Sequence, residues 1–123
     1  MNIIKGKMFS DNGMKIKLSD LLAKIPKNEW TWCIYEFEGV GVAPFGLSMP
    51  EFEDLVLSKD TGFELTWDEM ILLAESLIDI MSCTLAAVTS PMPYSCIESN
   101  ELDNCMVLLR VFDSTTWEIN MYY

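Results

Sequence analysis

Residues 106–122 read MVLLRVFDSTTWEINMY, and this stretch makes the most direct prediction of the chain's architecture. Its two apolar halves, 106–112 and 116–122, are separated by three residues, a connection length typical of a β-hairpin. In the second half apolar and polar residues alternate, so Trp117, Ile119 and Met121 share one face of a strand and polar side chains share the other. The stretch therefore predicts an antiparallel sheet with one face on helices and one face at least partly open.

Two capping boxes mark helix starts upstream of this hairpin. The boxes pair Ser48 with Glu51 and Thr66 with Glu69. In each box the hydroxyl of the first residue can accept a hydrogen bond from the backbone amide of the glutamate, and the glutamate carboxylate can accept one from the backbone amide of the first residue. The second box opens the most strongly patterned segment of the chain, in which apolar residues recur every three or four positions. The spacing predicts a long helix over residues 67–82.

The remaining elements are shorter. Residues 30–37 predict a strand buried on both faces, and residues 84–89 predict another short strand. A short helix is expected between a cap at Ser19 and the break at Pro26. Residues 39–49 and the acidic segment 90–104 are expected to be loops. The fold class is therefore α+β: a single domain over residues 1–123, with a mostly antiparallel sheet of about four to five strands packed against two to three helices.

The size and hydropathy of the chain agree with a folded domain. It has 123 residues, half of them apolar, which is enough for one core. The start of the chain lacks the apolar run of a signal peptide, and the longest apolar stretch, 70–89, is interrupted by Glu75 and Asp79. We therefore expect a cytoplasmic protein that does not span a membrane.

Charge is strongly segregated along the chain. Residues 1–27 carry six lysines and two aspartates, a net of +4, whereas residues 28–123 carry Lys59 and Arg110 against seventeen carboxylates, a net of −15. A potential of that sign repels nucleic acids and anionic membranes and attracts basic proteins. The expected partner is therefore a basic protein. The alternative is that the basic segment 1–27 of the chain itself packs against the acidic segment 28–123.

The sequence contains no recognisable catalytic motif. It has no histidine, which removes the usual general base and the histidine ligands of zinc sites, and its glycines do not form a phosphate-binding pattern. The four cysteines show no paired spacing, although Cys96 and Cys105 flank the acidic loop and could approach each other. We predict no catalytic, cofactor or metal site, and a protein that is not an enzyme.

Binding is the better supported class of function, because two groups of carboxylates lie in or beside expected loops. Side chains of that kind can project without a desolvation cost, and few cations in the same segment compensate them. The alternative for each group is an ordinary solvated face. The predicted partner-binding residues are Glu36, Glu38, Glu51, Glu53 and Asp54 in the first group, and Glu98, Glu101 and Asp103 in the second.

Part of the chain resembles a known family. Residues 62–69 run into Leu73-Ala74 and Leu77-Ile78-Asp79, and with residues 30–39 and 46–53 they are similar to segments of the immunity proteins of bacterial polymorphic toxin systems, particularly contact-dependent growth inhibition. The resemblance implies that the chain binds the C-terminal toxin domain of its cognate effector in the cytoplasm, as the monomer of a heterodimer. Many such toxins are nucleases, and the carboxylates would then occupy the phosphate-binding positions of a basic active site. No contact residues are carried over from the family.

Three alternatives remain open at this point. A type III secretion chaperone is also small, acidic and α+β, and its adaptable apolar surface would suit Met70, Met81, Met106 and Met121. A nucleic-acid mimic that inhibits a DNA-binding protein shares the same electrostatics. A carboxylate-based hydrolase is the enzyme alternative and ranks last. The sequence does not distinguish an active-site plug from inhibition at a distant site.

Overall fold

The hairpin predicted at the C-terminal end of the chain is present. Its strands, Cys105–Phe112 and Thr116–Met121, pair antiparallel from Val107 opposite Met121 to Phe112 opposite Thr116. Asp113 and Ser114 in the connection have φ angles of 45° and 56°, the left-handed conformation of tight hairpin turns. The amide of Ser114 also donates to the Met81 carbonyl, which fixes the turn against a neighbouring strand.

The computed structural model describes residues 2–123 and contains six strands and four α-helices in that part of the chain. A single 3₁₀ turn at Pro44–Gly46 precedes the second helix. In chain order the elements are β1 (Asn2–Lys7), α1 (Leu18–Leu22), β2 (Thr31–Gly41), α2 (Met49–Ser58), β3 (Phe63–Leu65), α3 (Trp67–Ser76), β4 (Leu77–Val88), α4 (Tyr94–Glu98), β5 (Cys105–Phe112) and β6 (Thr116–Met121).

All six strands form one antiparallel sheet in the order β1-β6-β5-β4-β2-β3. The α+β class and the antiparallel sheet are confirmed, with slightly more strands than predicted. Two strands, β1 and β3, match none of the predicted strand segments; β1 pairs with β6 along its whole length and lies at one edge of the sheet. The short β3 lies at the other edge.

The long helix predicted over residues 67–82 is wrong in its second half. Helix α3 starts at the predicted Thr66 capping box but ends at Ser76, and β4 begins at the next residue. The Ser76 hydroxyl contacts two carbonyl oxygens at 2.7 Å, that of Leu73 in its own helix and that of Val42 beyond β2. Strand β4 pairs with the whole length of β2. If residues 77–82 were helical, the backbone groups at the end of β2 would lack these hydrogen-bond partners.

Other boundaries differ by smaller amounts. Strand β2 continues to Gly41, so the expected loop after it is shorter, and helix α4 forms inside the segment expected to be an acidic loop. Lys17 rather than Ser19 precedes the first helical residue of α1, and its amide donates to Asp20 at 2.9 Å. Cys96 and Cys105 are both free thiols.

The sheet buries apolar side chains on both faces, as predicted for the strand now assigned as β2. We call the side that carries α1, α2 and α3 the front face; its core includes Trp32, Ile34 and Phe37 from β2. On the back face, Cys33 and Tyr35 pack in a smaller cluster with residues of the α4 segment. Helix α4 covers only part of the back face, and the uncovered part carries polar side chains.

Candidate partner-binding surface

A β-bulge in β2 directs carboxylates onto the back face. Ile34 lies opposite Leu85 and Glu36 lies opposite Thr84, so one extra residue, Tyr35, is inserted between the two pairs. Tyr35 packs into the back-face cluster, and alternation resumes with Phe37 in the front core. The bulge therefore places Glu36 and, two residues later, Glu38 on the back face.

Glu36 lines a shallow cavity of about 290 Å³ between the sheet and α4. The hydroxyl of Tyr94 in α4 donates to Glu36 Oε2 at 3.4 Å. Burial raises the pKa of Tyr94, and the nearby charges of Glu36 and Glu98 raise it further. Glu36 and Glu98, predicted in separate groups, thus lie near the same tyrosine. The remaining residues around this cavity are Ser82, Thr84, Ile97, Arg110, Val111, Phe112 and Asp113.

Lys59 and Arg110, the two basic residues of segment 28–123, each line a cavity that Glu36 also lines. Arg110 lines the same cavity, and Lys59 lines the adjacent depression that also contains Glu36 and Tyr94. Glu36 is half-buried, whereas Glu38 is exposed. The part of this surface that is open to a partner is therefore its outer part, at Glu38 and beyond α4.

A polar row crosses the uncovered back face from β2 to β1. Cross-strand pairing aligns Glu36, Thr84, Arg110, Glu118 and Lys5 in consecutive strands. Arg110 Nη2 lies 2.7 Å from Glu118 Oε1, and Asn120 donates to the same oxygen. Burial alone would raise the pKa of Glu118, but the hydrogen bonds from Asn120 and Arg110 and the charges of Arg110 and Lys5 together lower it below its usual value.

The lowered pKa of Glu118 predicts a pH-dependent contribution to stability. A carboxyl whose pKa is depressed on folding stabilises the folded state above its unfolded pKa, about 4.3, and loses that contribution as the pH falls through its folded value. We expect Glu118→Gln to be less stable than the parent chain at pH 7, with the difference shrinking below about pH 4. Urea unfolding at a series of pH values measures this, and a difference independent of pH would contradict the assigned ion pair.

Helix α2 packs on the front face, and its three carboxylates in the first predicted group have different roles. Glu51 completes the capping box at Ser48, whose hydrogen bonds lower the pKa of Glu51. Glu53 Oε2 accepts from the Gly39 amide at 3.1 Å, which caps a part of β2 that β3 does not cover. Asp54 is exposed. Glu51 and Glu53 therefore have structural roles, and Asp54 is the α2 carboxylate available to a partner.

The second predicted group is fully on the surface. Glu98 ends α4, and Glu101 and Asp103 follow in the turn that leads to β5; all three are exposed. Among residues 2–123 the ion pairs are Lys15 with Asp79 and Arg110 with Glu118, so neither group of predicted contacts is neutralised by an ion pair.

Part of the N-terminal positive charge lies far from the predicted acidic contacts. Lys5 and Lys7 lie on β1 at one edge of the sheet, whereas β2, α2 and α4 carry the predicted acidic contacts. Strands β1 and β2 are four strand spacings apart, which is about 19 Å. Of the six N-terminal lysines, only Lys15 forms an ion pair within the described part of the chain.

Sequence reasoning missed Tyr94 and Arg110 as members of this surface. The sequence does indicate Arg110, because it is the single charged residue inside an otherwise apolar strand. It therefore marks the face of β5 that is not fully buried. Nothing in the sequence indicates Tyr94, since its position depends on α4 folding back onto a bulge in β2. Its backbone amide donates to the Asp60 carbonyl at 2.9 Å, a contact between distant parts of the chain.

The comparison with family models, the comparison with curated proteins and the comparison with solved structures each gave no match. Within residues 2–123 no helix is both long and apolar enough to cross a membrane, and no three His, Cys, Asp or Glu side chains are grouped so that they could hold a metal ion. The surface itself is the basis for assigning a function.

Proposed function

We propose that this chain is an immunity-type inhibitor that binds a basic protein domain through exposed carboxylates around β2, α2 and α4. One observation carries the proposal: six of the eight predicted contacts are exposed and form no ion pair within residues 2–123, in a segment of net charge −15, and five of these six have no helix-capping role, which Glu51 has. These five residues, which we call the acidic surface, are Glu38, Asp54, Glu98, Glu101 and Asp103.

The acidic surface suits recognition of a cationic partner. Exposed carboxylates stay hydrated until the partner binds, and each can then accept two hydrogen bonds from an arginine. Their summed field raises the association rate with a protein of opposite charge, and this effect weakens as salt is added. The opposite edge of the sheet, with Lys5 and Lys7, would orient the chain so that its acidic side meets the partner first.

The class of partner we propose is a toxin domain with a basic active-site cleft, such as a nuclease. Carboxylates on a protein surface can take the positions of substrate phosphates in such a cleft. The resulting complex would block substrate entry without any catalytic residue in this chain. The protein would act as a monomer that forms a heterodimer with its target.

The test uses charge reversal of the three exposed carboxylates that end α4 and follow it. The combined Glu98→Lys, Glu101→Lys and Asp103→Lys variant should bind the protein captured from bacterial lysate by the parent chain at least about tenfold more weakly, because each favourable contact becomes repulsive. Its affinity should also depend less steeply on salt. Binding measured by calorimetry at several salt concentrations gives both quantities.

A matched control separates specific contacts from net charge. Asp11, Glu29 and Glu64 are exposed carboxylates outside the acidic surface, and reversing all three changes the net charge by the same amount. The control should retain most of the affinity. If both triple variants lose affinity equally, or if neither does, the acidic surface is not the binding site.

The secretion-chaperone alternative has less support from the packing. Of the four methionines that suggested an adaptable surface, Met70 and Met121 are buried and Met81 and Met106 are half-buried. Sedimentation distinguishes the two functions, because the chaperone requires a stable dimer and the inhibitor requires a monomer.

A further inference from the structure

An apolar groove lies on the front side of the molecule, between the turn after β2 and helix α3. Three of its side chains are unusually exposed for their type: Val42 at 68 %, Phe45 at 62 % and Leu72 at 66 %. Ala43, Pro44 and Leu73 complete the apolar lining, and the open groove has a volume of about 280 Å³. Large apolar side chains that line one concave surface mark a place where another molecule binds.

The backbone holds this groove in a fixed shape. The Val42 amide donates to the Ser76 carbonyl at 3.1 Å, and the Ser76 hydroxyl donates to the Val42 carbonyl at 2.7 Å. Phe45 has a φ of 59°, a left-handed conformation that costs a bulky residue about 1 kcal/mol. That conformation leaves the ring exposed beside Phe63, with the two ring centroids 6.0 Å apart. The groove is thus preorganised.

The rim of the groove is acidic. Leu72 lies on α3 with Asp68, Glu69 and Glu75 three or four positions away, so all three carboxylates neighbour it on the helix surface. Glu69 also lines the groove, and no lysine or arginine within residues 2–123 does so. An apolar centre with a rim of one charge sign is complementary to an apolar side chain flanked by residues of the opposite charge.

We propose that this groove is the docking site for an apolar anchor of the basic partner, a segment in which leucine or phenylalanine is flanked by arginine or lysine. The proposal rests on the proposed function and deepens it, because it places the anchor in the groove and the remaining cations on the acidic surface. Val42 follows Glu38 by four residues, about 13 Å along the chain, so one partner can reach both. A second copy of this chain is disfavoured as the occupant, because it would bring carboxylate rims together.

A peptide titration followed by NMR tests this proposal. The probe Arg-Lys-Phe-Leu-Arg-Lys should shift the amide signals of residues 42–47 and 72–76 at millimolar peptide, whereas Arg-Lys-Ser-Ser-Arg-Lys should not. Leu72→Gln should weaken binding of the first peptide about tenfold, as expected for an apolar anchor that loses its contact. Ile3→Gln is the matched control, because Ile3 is also exposed but lies on β1 at the far edge of the sheet.

Each other outcome overturns a defined part of the proposal. No shifts at the groove, or equal binding of the acidic peptide Glu-Glu-Phe-Leu-Glu-Glu, would contradict a groove for a basic anchor. A dimer in sedimentation that Leu72→Gln abolishes would make a second copy the occupant. Shifts confined to residues 98–103 with both basic peptides would remove the groove but leave the proposed function standing, whereas binding of the acidic peptide alone would remove both.

Discussion

Replacing Phe52 by alanine should lower the free energy of unfolding by about 3–5 kcal/mol, the range for an aromatic side chain removed from a core. Phe52 is fully buried on α2, and its ring packs edge-on against Phe37 of β2 and Phe63 of β3, each with a centroid distance of 5.3 Å. These contacts attach α2 to the front face. The substitution therefore removes the ring contacts and leaves a cavity between three elements.

Urea unfolding followed by tryptophan fluorescence measures this loss, with Leu57→Ala as the control. Leu57 lies on the same helix but is largely exposed, so its truncation should change stability by no more than about 0.5 kcal/mol. Equal effects of the two substitutions would show that α2 is not held by the Phe52 contacts. Because α2 also carries Asp54 and the Glu53 contact to β2, its attachment matters for the acidic surface as well as for stability.

The parts of the fold that the sequence predicted correctly are those encoded by short-range signals. The capping boxes at Ser48 and Thr66 form as expected, with the Thr66 amide 2.9 Å from Glu69 Oε1. The C-terminal hairpin forms because its alternation and connection length need no distant partner. In each case the residues that determine the structure lie within a few positions of one another.

The failures arise where a distant strand decides the structure. Residues 77–82 carry a helical period, but β2 extends to Gly41 and needs a partner along its whole length, and β4 supplies it. Strand β1 was missed for the same reason, because the six residues that pair with it are more than a hundred positions away in β6. Periodicity reports which side chains prefer burial; it does not report which backbone segments meet.

The candidate site was likewise predictable where it depends on the residues themselves and not where it depends on distant contacts. The sequence identified the exposed carboxylates, since charge is readable from composition, but it grouped them by position in the chain. The bulge at Tyr35 and the docking of α4 bring members of the two groups together, so Glu36 and Glu98 lie near the same side chain, Tyr94. The structural role of Glu53 could not be foreseen, because its acceptor contact with Gly39 depends on how α2 lies beside the edge of β2.

Replacing Gly41 by alanine should destabilise the fold by about 2–6 kcal/mol, because two costs combine at that position. Gly41 has a φ of 140°, and an unfavourable backbone conformation of this kind costs about 1–3 kcal/mol. A Cβ atom there would lie 2.5 Å from the Ser76 carbonyl oxygen and 2.7 Å from the Leu77 Cα, and overpacking of that kind costs about 1–3 kcal/mol more. The clash falls at the junction where α3 ends and β4 begins.

Gly13→Ala is the matched control, because Gly13 also has a positive φ, 83°, but a Cβ atom added there would meet no atom within 4 Å. Gly13→Ala should lower the free energy of unfolding only by the cost of a left-handed backbone conformation, about 1 kcal/mol. Thermal and urea unfolding of both variants give the cost at Gly41 in excess of that of a left-handed residue in open space. If Gly41→Ala costs no more than Gly13→Ala, the end of β2 is not packed tightly against the junction of α3 and β4. The same junction holds Val42 through Ser76, so a large cost at Gly41 would also indicate that the groove is built on a rigid support.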